Sequence, residues 1–189
     1  MAAVIDTKMK YIQTEIDGVW VIEPKVFKDS RGYFLESFKK EEFETNIGKI
    51  DFIQENESMS SYGVLRGLHY QKGAYSQAKL VRVIKGRILD VAVDLRSESK
   101  TFGKYICIEL SEYNKRQFFI PRGFAHGYLV LSEEVIFTYK VDNTYYPESE
   151  VSILYNDKDL GIGWPIEESK LILSEKDKNG LEFCNAEYF

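Results

Sequence analysis

Two histidines, His69 and His126, are the only imidazoles in this 189-residue chain. Imidazole is the side chain that exchanges a proton near neutral pH, so histidine acid–base chemistry must run through these two positions. The same count excludes a metal centre built on three histidines of one chain. His69 lies in Arg66-Gly67-Leu68-His69-Tyr70-Gln71, which reads as a strand. Residues three apart fall on opposite faces of a regular strand, so Arg66 and His69 share a face only if Gly67 admits a bulge. His126 follows Pro121-Arg122-Gly123-Phe124-Ala125, where proline and glycine break the ladder and the histidine opens the next strand. Elsewhere Phe137-Thr138-Tyr139-Lys140 precedes Tyr145-Tyr146-Pro147, and Leu173-Ser174-Glu175-Lys176-Asp177 lies near the C-terminus. Taken alone, the aromatic residues read as packing in a β core and the last segment as an ordinary polar turn.

The elements that must position these groups are mostly strands. Short apolar or alternating runs occupy residues 19–22, 32–38, 52–58, 64–71, 105–110, 117–120, 127–131, 135–141 and 151–155. Residues 80–84 and 87–95, joined through Lys85-Gly86, predict a hairpin with the glycine in its turn. In its second arm Leu89, Val91, Val93 and Leu95 share one face, and Ile88, Asp90, Ala92 and Asp94 share the other. Helix is expected only over residues 39–44 and as one turn over 165–170. Many short strands separated by turn signals indicate a sandwich or barrel, and an aromatic content of 14% suits strands. With no linker, repeat or low-complexity segment, residues 1–189 are expected to form a single domain, with residues 1–10 as a polar lead-in. A net charge of -5 argues against a general nucleic-acid binder. No apolar run is long enough to cross a membrane. The first residues lack a signal-peptide core, so a cytoplasmic location is expected, with Cys107 and Cys184 as reduced thiols.

The stretch from Pro121 to His126 resembles the second motif of the cupin superfamily, PxGxxH. Many cupins bind a metal through this histidine together with an HxH pair and a glutamate. Here the HxH position reads His69-Tyr70-Gln71, without the second histidine, and a two-histidine, one-carboxylate site stays open as an alternative. A longer ordered set is more specific. It runs RGxFxE at 31–36, QxN at 54–56, RGLHYQ at 66–71, KLVRV at 79–83 and PxGFAHG at 121–127. It continues with YK at 139–140, YYP at 145–147, ND at 156–157, GIxWP at 161–165 and LSxKD at 173–177. This set resembles the dTDP-4-dehydrorhamnose 3,5-epimerase family from about residue 12 to 180. The resemblance implies an all-β, jelly-roll cupin with a few short helices, assembled as a homodimer and using no metal and no organic cofactor. It implies His69 as the catalytic base, Asp177 as the carboxylate paired with it, and Tyr139 as the general acid. It implies that Lys79 lies beside the sugar ketone and that Tyr145 is the aromatic that stacks on the nucleotide base. Arg31, Glu36, Gln54, Asn56, Arg66, His126, Glu150 and Lys176 match substrate-binding positions. The departures are Arg122 in place of an expected glutamate, Tyr70 in place of a common phenylalanine, and a longer lead-in.

These residue types suit the reaction implied. In dTDP-4-dehydro-6-deoxy-D-glucose the hydrogens on C3 and C5 are both alpha to the C4 ketone. Inverting such a carbon takes a base on one face, donors for the enolate oxygen, and an acid on the other face. A neutral histidine backed by a carboxylate is the base, Lys79 and His126 are the donors, and a neutral tyrosine is the acid. Arg31, Arg66 and Lys176 supply cations for the diphosphate, and Tyr145 a face for thymine. The alternatives are an epimerase that inverts only C3 or only C5, a metal-dependent cupin oxygenase, and a non-catalytic nucleotide-sugar-binding cupin. The last has no use for His69 and Tyr139 together.

Overall fold

The computed structural model describes residues 8–189. Its strands are β1 (Lys10–Gln13), β2 (Trp20–Glu23), β3 (Phe27–Asp29), β4 (Gly32–Phe34), β5 (Gln54–Ser61), β6 (Leu65–Gln71), β7 (Lys79–Lys85), β8 (Arg87–Asp94), β9 (Tyr105–Ser111), β10 (Gln117–Ile120), β11 (Phe124–Val130), β12 (Glu134–Val141) and β13 (Glu150–Ser152). Two short α-helices, α1 (Lys40–Asn46) and α2 (Glu175–Lys178), complete it with a few single 3-10 turns. A six-stranded sheet in the order β1-β2-β10-β7-β12-β5 faces a five-stranded sheet in the order β13-β6-β11-β8-β9. Every pairing between these strands is antiparallel, and two isolated bridges, Val64–Ile172 and Ile153–Leu181, are parallel. This is the cupin-like all-β fold that the resemblance implies, a sandwich of the kind that the alternating strands indicate.

Val81, Val83, Phe118 and Phe137 from the larger sheet pack against Ile88, Ala92, Phe124 and Val130 from the smaller one. Apolar residues on the inward positions of each strand bury themselves there, and each large one contributes about 1.5–3 kcal/mol. The smaller sheet is covered on its other face as well. Leu68, Val91, Val93 and Ala125 meet Ile153, Leu160, Ile162 and Ala186 of the C-terminal segment. A strand buried on both faces carries few polar positions, which makes an acid within β8 conspicuous. Outside the larger sheet, α1 seats Phe43 among Phe38, Phe52 and Phe119 with ring centroids 5.2–5.7 Å apart.

Three expectations are corrected. The expected hairpin is a corner instead: β7 pairs with β10 and β12 in one sheet, whereas β8 pairs with β11 and β9 in the other. Gly86 turns the chain between sheets at φ 83°, and a Cβ there would stand 2.1 Å from the Glu134 carbonyl oxygen. Alternation marks both segments as strands but does not say whether consecutive strands pair. The run at 32–38 is strand only over Gly32–Phe34, paired with β3 in a small separate hairpin whose Tyr33 and Phe34 are 55% and 62% exposed. Residues 1–7 of the expected lead-in lie outside the described residues, but Met9 is buried, donates its N–H to Glu42, and leads straight into β1. The single turn expected over 165–170 is a 3-10 turn at Glu168–Lys170. Among the described residues, no helix is long and apolar enough to cross a membrane.

Candidate active site

Residues of both sheets line a cavity of about 780 Å³. β6 supplies the histidine. Across β6 and β11 His69 opposes His126, but Arg66 opposes Tyr128, so β6 carries one more residue than its partner between the two pairs. That is the bulge for which Gly67 is suited. A Cβ on Gly67 would meet the Gly127 Cα at 2.5 Å, so the two backbones approach too closely for any side chain there. The extra residue turns Arg66 and His69 toward the same cavity.

His69 Nε2 lies 2.6 Å from Asp177 Oδ1. The Gly67 N–H donates to the same oxygen at 3.2 Å. The Ser174 hydroxyl donates to Asp177 Oδ2 at 2.6 Å, and the Ser174 N–H donates to it at 3.3 Å. The Asp177 N–H donates back to Ser174 Oγ, closing a capping box at the start of α2. Burial pushes the Asp177 carboxyl up, but the His69 and Ser174 bonds, the His69 charge and the Gly67 N–H outweigh it and hold it down at about 2. An ionised carboxylate can only accept, so the imidazole nitrogen facing it carries a proton, and in the neutral ring the other nitrogen holds the lone pair.

A second histidine–carboxylate pair lies beside the first. His126 Nε2 is 2.8 Å from Asp90 Oδ1, and both side chains are buried. Burial holds Asp90 above the ordinary carboxylate range, against His126 and Lys79. Burial also holds His126 below its ordinary value, against Asp90. The second oxygen of Asp90 is buried with no hydrogen-bond partner. Lys79 is drawn down to about 8, because burial outweighs the attraction of Asp90 and Glu150 and the neighbouring Lys176 repels it. The other acid of β8, Asp94, is engaged structurally by Arg96, Ser99 and Thr101.

Tyr139 comes from β12 in the opposite sheet and lines the same cavity, paired across the ladder with Asn56. Burial raises its phenol above the ordinary value, helped by Tyr128 and opposed by the Asn56 amide and the Arg66 charge. It is therefore a proton-bearing group at neutral pH. Toward the mouth, the Tyr145 hydroxyl donates to Glu150 Oε2 at 2.6 Å, and Glu150 Oε1 pairs with Lys176. Gln54 donates to Asn56 at 2.7 Å, and Arg66 to Ser60 at 3.2 Å.

Thus His69, Tyr139, Asp177, Gln54, Asn56, Arg66, Lys79, His126, Tyr145, Glu150 and Lys176 all line one cavity. Arg31 and Glu36 do not. Arg31 sits at the tip of the β3–β4 hairpin, its side chain 88% exposed and paired with Asp29. Glu36 follows β4 and keeps one carboxyl oxygen buried without a partner. Sequence reasoning missed Asp90, Ser174, Tyr128 and Gln71 as contributors. Asp90 carried a usable signal, an acid within an apolar strand, and so did Ser174, three residues before an acid at a helix start.

The donor set bears on the metal alternative. Among the described residues, no group of three or more His, Cys, Asp and Glu could hold a metal ion. Gln71, where an HxH pair would have its second histidine, has its amide bonded to backbone groups of nearby loops.

Comparisons with known proteins give the family. A family model described as dTDP-4-dehydrorhamnose 3,5-epimerase matches residues 13–185. The dTDP-4-dehydrorhamnose 3,5-epimerase of Shigella flexneri is 52% identical over 182 residues, 96% of this chain and 99% of that one. A crystal structure of dTDP-6-deoxy-D-glucose-3,5-epimerase from Legionella pneumophila in complex with dTDP-4-keto-L-rhamnose superposes with a TM-score of 0.91 at 48% identity, covering 95% of each chain. A 3'-monoepimerase from Streptomyces bikiniensis in complex with dTDP-quinovose superposes with a TM-score of 0.83 at 34% identity, covering 89% of this chain and 85% of that one. Identity near one half over almost the full length, on a cavity built around the residues that the motifs single out, places the chain in the dTDP-4-dehydrorhamnose 3,5-epimerase family.

Proposed function

We propose that this protein inverts C3 and C5 of dTDP-4-dehydro-6-deoxy-D-glucose to give dTDP-4-dehydro-L-rhamnose, in the formation of dTDP-L-rhamnose. The observation that carries this reading is a histidine on one sheet, paired with a carboxylate from α2, and a phenol on the other sheet, all lining one cavity. The free nitrogen of His69 takes the proton from carbon alpha to the ketone, and the C–H electron pair moves into the enolate. Asp177 stabilises the imidazolium formed. Protonated Lys79 and the His126 side donate to the developing oxygen anion, where much of the barrier is removed. Tyr139 then delivers its proton to the opposite face of the carbon as the enolate collapses back to the ketone. Solvent returns a proton to the tyrosinate and removes one from His69. Both halves are proton transfers, so the reaction requires neither a metal nor an organic cofactor.

Arg66 and Lys176 face the diphosphate, Tyr145 the thymine ring, and Gln54, Asn56 and Glu150 the remaining polar groups. Arg31 and Glu36 contribute through a homodimer, in which the exposed β3–β4 hairpin of one copy reaches the cavity of the other. The exposed aromatic residues Tyr33 and Phe34 of β4 support that arrangement, since exposed aromatic surface favours a partner. Residues 1–189 act as one domain, in the cytoplasm, where the free thiols Cys107 and Cys184 stay reduced.

Incubation with the substrate in D2O tests the reading. Deuterium should enter at both C3 and C5 with inversion at each. Incorporation confined to one carbon would make the protein a C3-only or C5-only epimerase, and none at either would remove the proton-transfer mechanism.

Lys79 sets an expected pH dependence. Its pKa lies near 8 in the free protein, so it is charged below that pH and neutral above it. Because the charged form stabilises the enolate oxygen, kcat/KM should fall as pH rises through about 8, while Tyr139, raised by burial, still holds its proton. In Lys79→Arg the guanidinium keeps its charge at every working pH, so this limb should vanish from a slower enzyme. An unchanged limb in that variant would assign it to another group.

A further inference from the structure

We propose that Gln71 is a positioning residue for the nucleotide half of the substrate, fixing the backbone of Tyr145 relative to the strand that carries the catalytic base. The inference rests on the assignment of Tyr145 as the stacking residue. Gln71 ends β6, two residues beyond His69, and lines the same cavity. It is 4% exposed, and its amide is spent on backbone groups alone. Nε2 donates to the Thr144 carbonyl at 3.0 Å and to the Tyr75 carbonyl at 2.7 Å. Oε1 accepts the Tyr146 N–H at 2.6 Å. The Thr144 carbonyl belongs to the peptide group before Tyr145, and the Tyr146 N–H to the one after it. One side chain therefore grips both peptide planes that flank the Tyr145 Cα, which determines where its ring stands. Tyr145 lies in the irregular stretch between β12 and β13, where no ladder performs this task. The third bond ties in the neighbouring loop, whose Tyr75 ring stacks on Tyr146 with centroids 4.1 Å apart and planes inclined by 12°. Leucine at 71 would fill a similar volume but leave the Tyr146 N–H and the two carbonyls without these partners, freeing the loop to move.

Affinity for dTDP, which has no reacting sugar, separates positioning from chemistry. Four proteins are compared by calorimetry: the parent, Gln71→Leu, Tyr145→Ala, and the double variant. A base–aromatic contact is worth on the order of 1–3 kcal/mol, about 5- to 150-fold in affinity. Tyr145→Ala should show that loss, and Gln71→Leu a comparable one, with the substrate KM rising more than kcat falls. Because Gln71 acts through Tyr145, the double variant should bind no more weakly than Tyr145→Ala. Normal binding by Tyr145→Ala would overturn the stacking assignment itself. Weak binding by Tyr145→Ala alongside normal binding by Gln71→Leu would overturn only the role of Gln71, as would losses that add in full in the double variant. Should Gln71→Leu fail to fold, Gln71→Glu takes its place: it keeps the acceptor for Tyr146 and removes both donations, and the same outcomes decide.

Discussion

Asp177→Asn should lower turnover at saturating substrate by about 10²- to 10⁴-fold, the range expected when a carboxylate that orients a catalytic histidine becomes an amide. The bonds around Asp177 explain why an amide cannot substitute. One carboxylate oxygen accepts from His69 and from the Gly67 N–H, and the other accepts from the Ser174 hydroxyl and N–H. All these partners are donors or, in the case of His69, must donate for the base to work. An amide has one oxygen. Turned toward His69, it confronts Ser174 with an NH2 group. Turned toward Ser174, it sets its NH2 against the imidazole and holds the tautomer whose lone pair points the wrong way. In both orientations the negative charge that supports the imidazolium is lost. Binding of dTDP should change little, since Asp177 faces the imidazole and not the nucleotide. Steady-state kinetics with calorimetry for dTDP tests this, with thermal unfolding as the control because Asp177 also caps α2. Collapse of dTDP affinity with unchanged turnover would remove Asp177 from the dyad.

The chemistry of the site was more legible than its surroundings. The odd spacing of Arg66 and His69 demanded a break in alternation, and Gly67 provides it. The sheet partners of β7 and β8 were not legible, because period-2 patterning fixes which face a residue takes and not which strand it pairs with. Asp90 was visible as an acid between Leu89 and Val91, but its use depends on His126 arriving on the adjacent strand, a contact 36 residues distant in sequence. Asp94 shares its face and serves only a turn, so pattern alone could not separate the two. Arg31 and Glu36 matched the motif set yet stand outside the cavity, because a motif records residue order and not where the fold carries each residue. Gln71 was legible only as a missing histidine; its three backbone bonds depend on loops whose course no local pattern sets.

Tyr139→Phe should separate proton removal from inversion. Phenylalanine keeps the ring, which packs 5.7 Å from Phe137, and deletes the hydroxyl proposed to protonate the far face. His69, Asp177 and the donors around Lys79 are untouched, so the enolate still forms. The proton on His69 can exchange with solvent and return to the face it left. In D2O, deuterium should therefore enter the substrate at a rate within about tenfold of the parent, while inversion falls by about 10²- to 10⁴-fold, the usual contribution of a placed general acid. Mass spectrometry reads the first rate and the configuration of the recovered sugar reads the second. Tyr128 makes the comparison sharper. It is a second phenol on the cavity, 4% exposed, with its hydroxyl 3.2 Å from Ser58 on the larger sheet. If Tyr139→Phe inverts at a near-normal rate, Tyr139 is a packing residue and Tyr128→Phe becomes the variant to test for the acid. If exchange and inversion vanish together in a folded variant that still binds dTDP, the Tyr139 hydroxyl is needed to form the enolate and is not simply the acid that ends it.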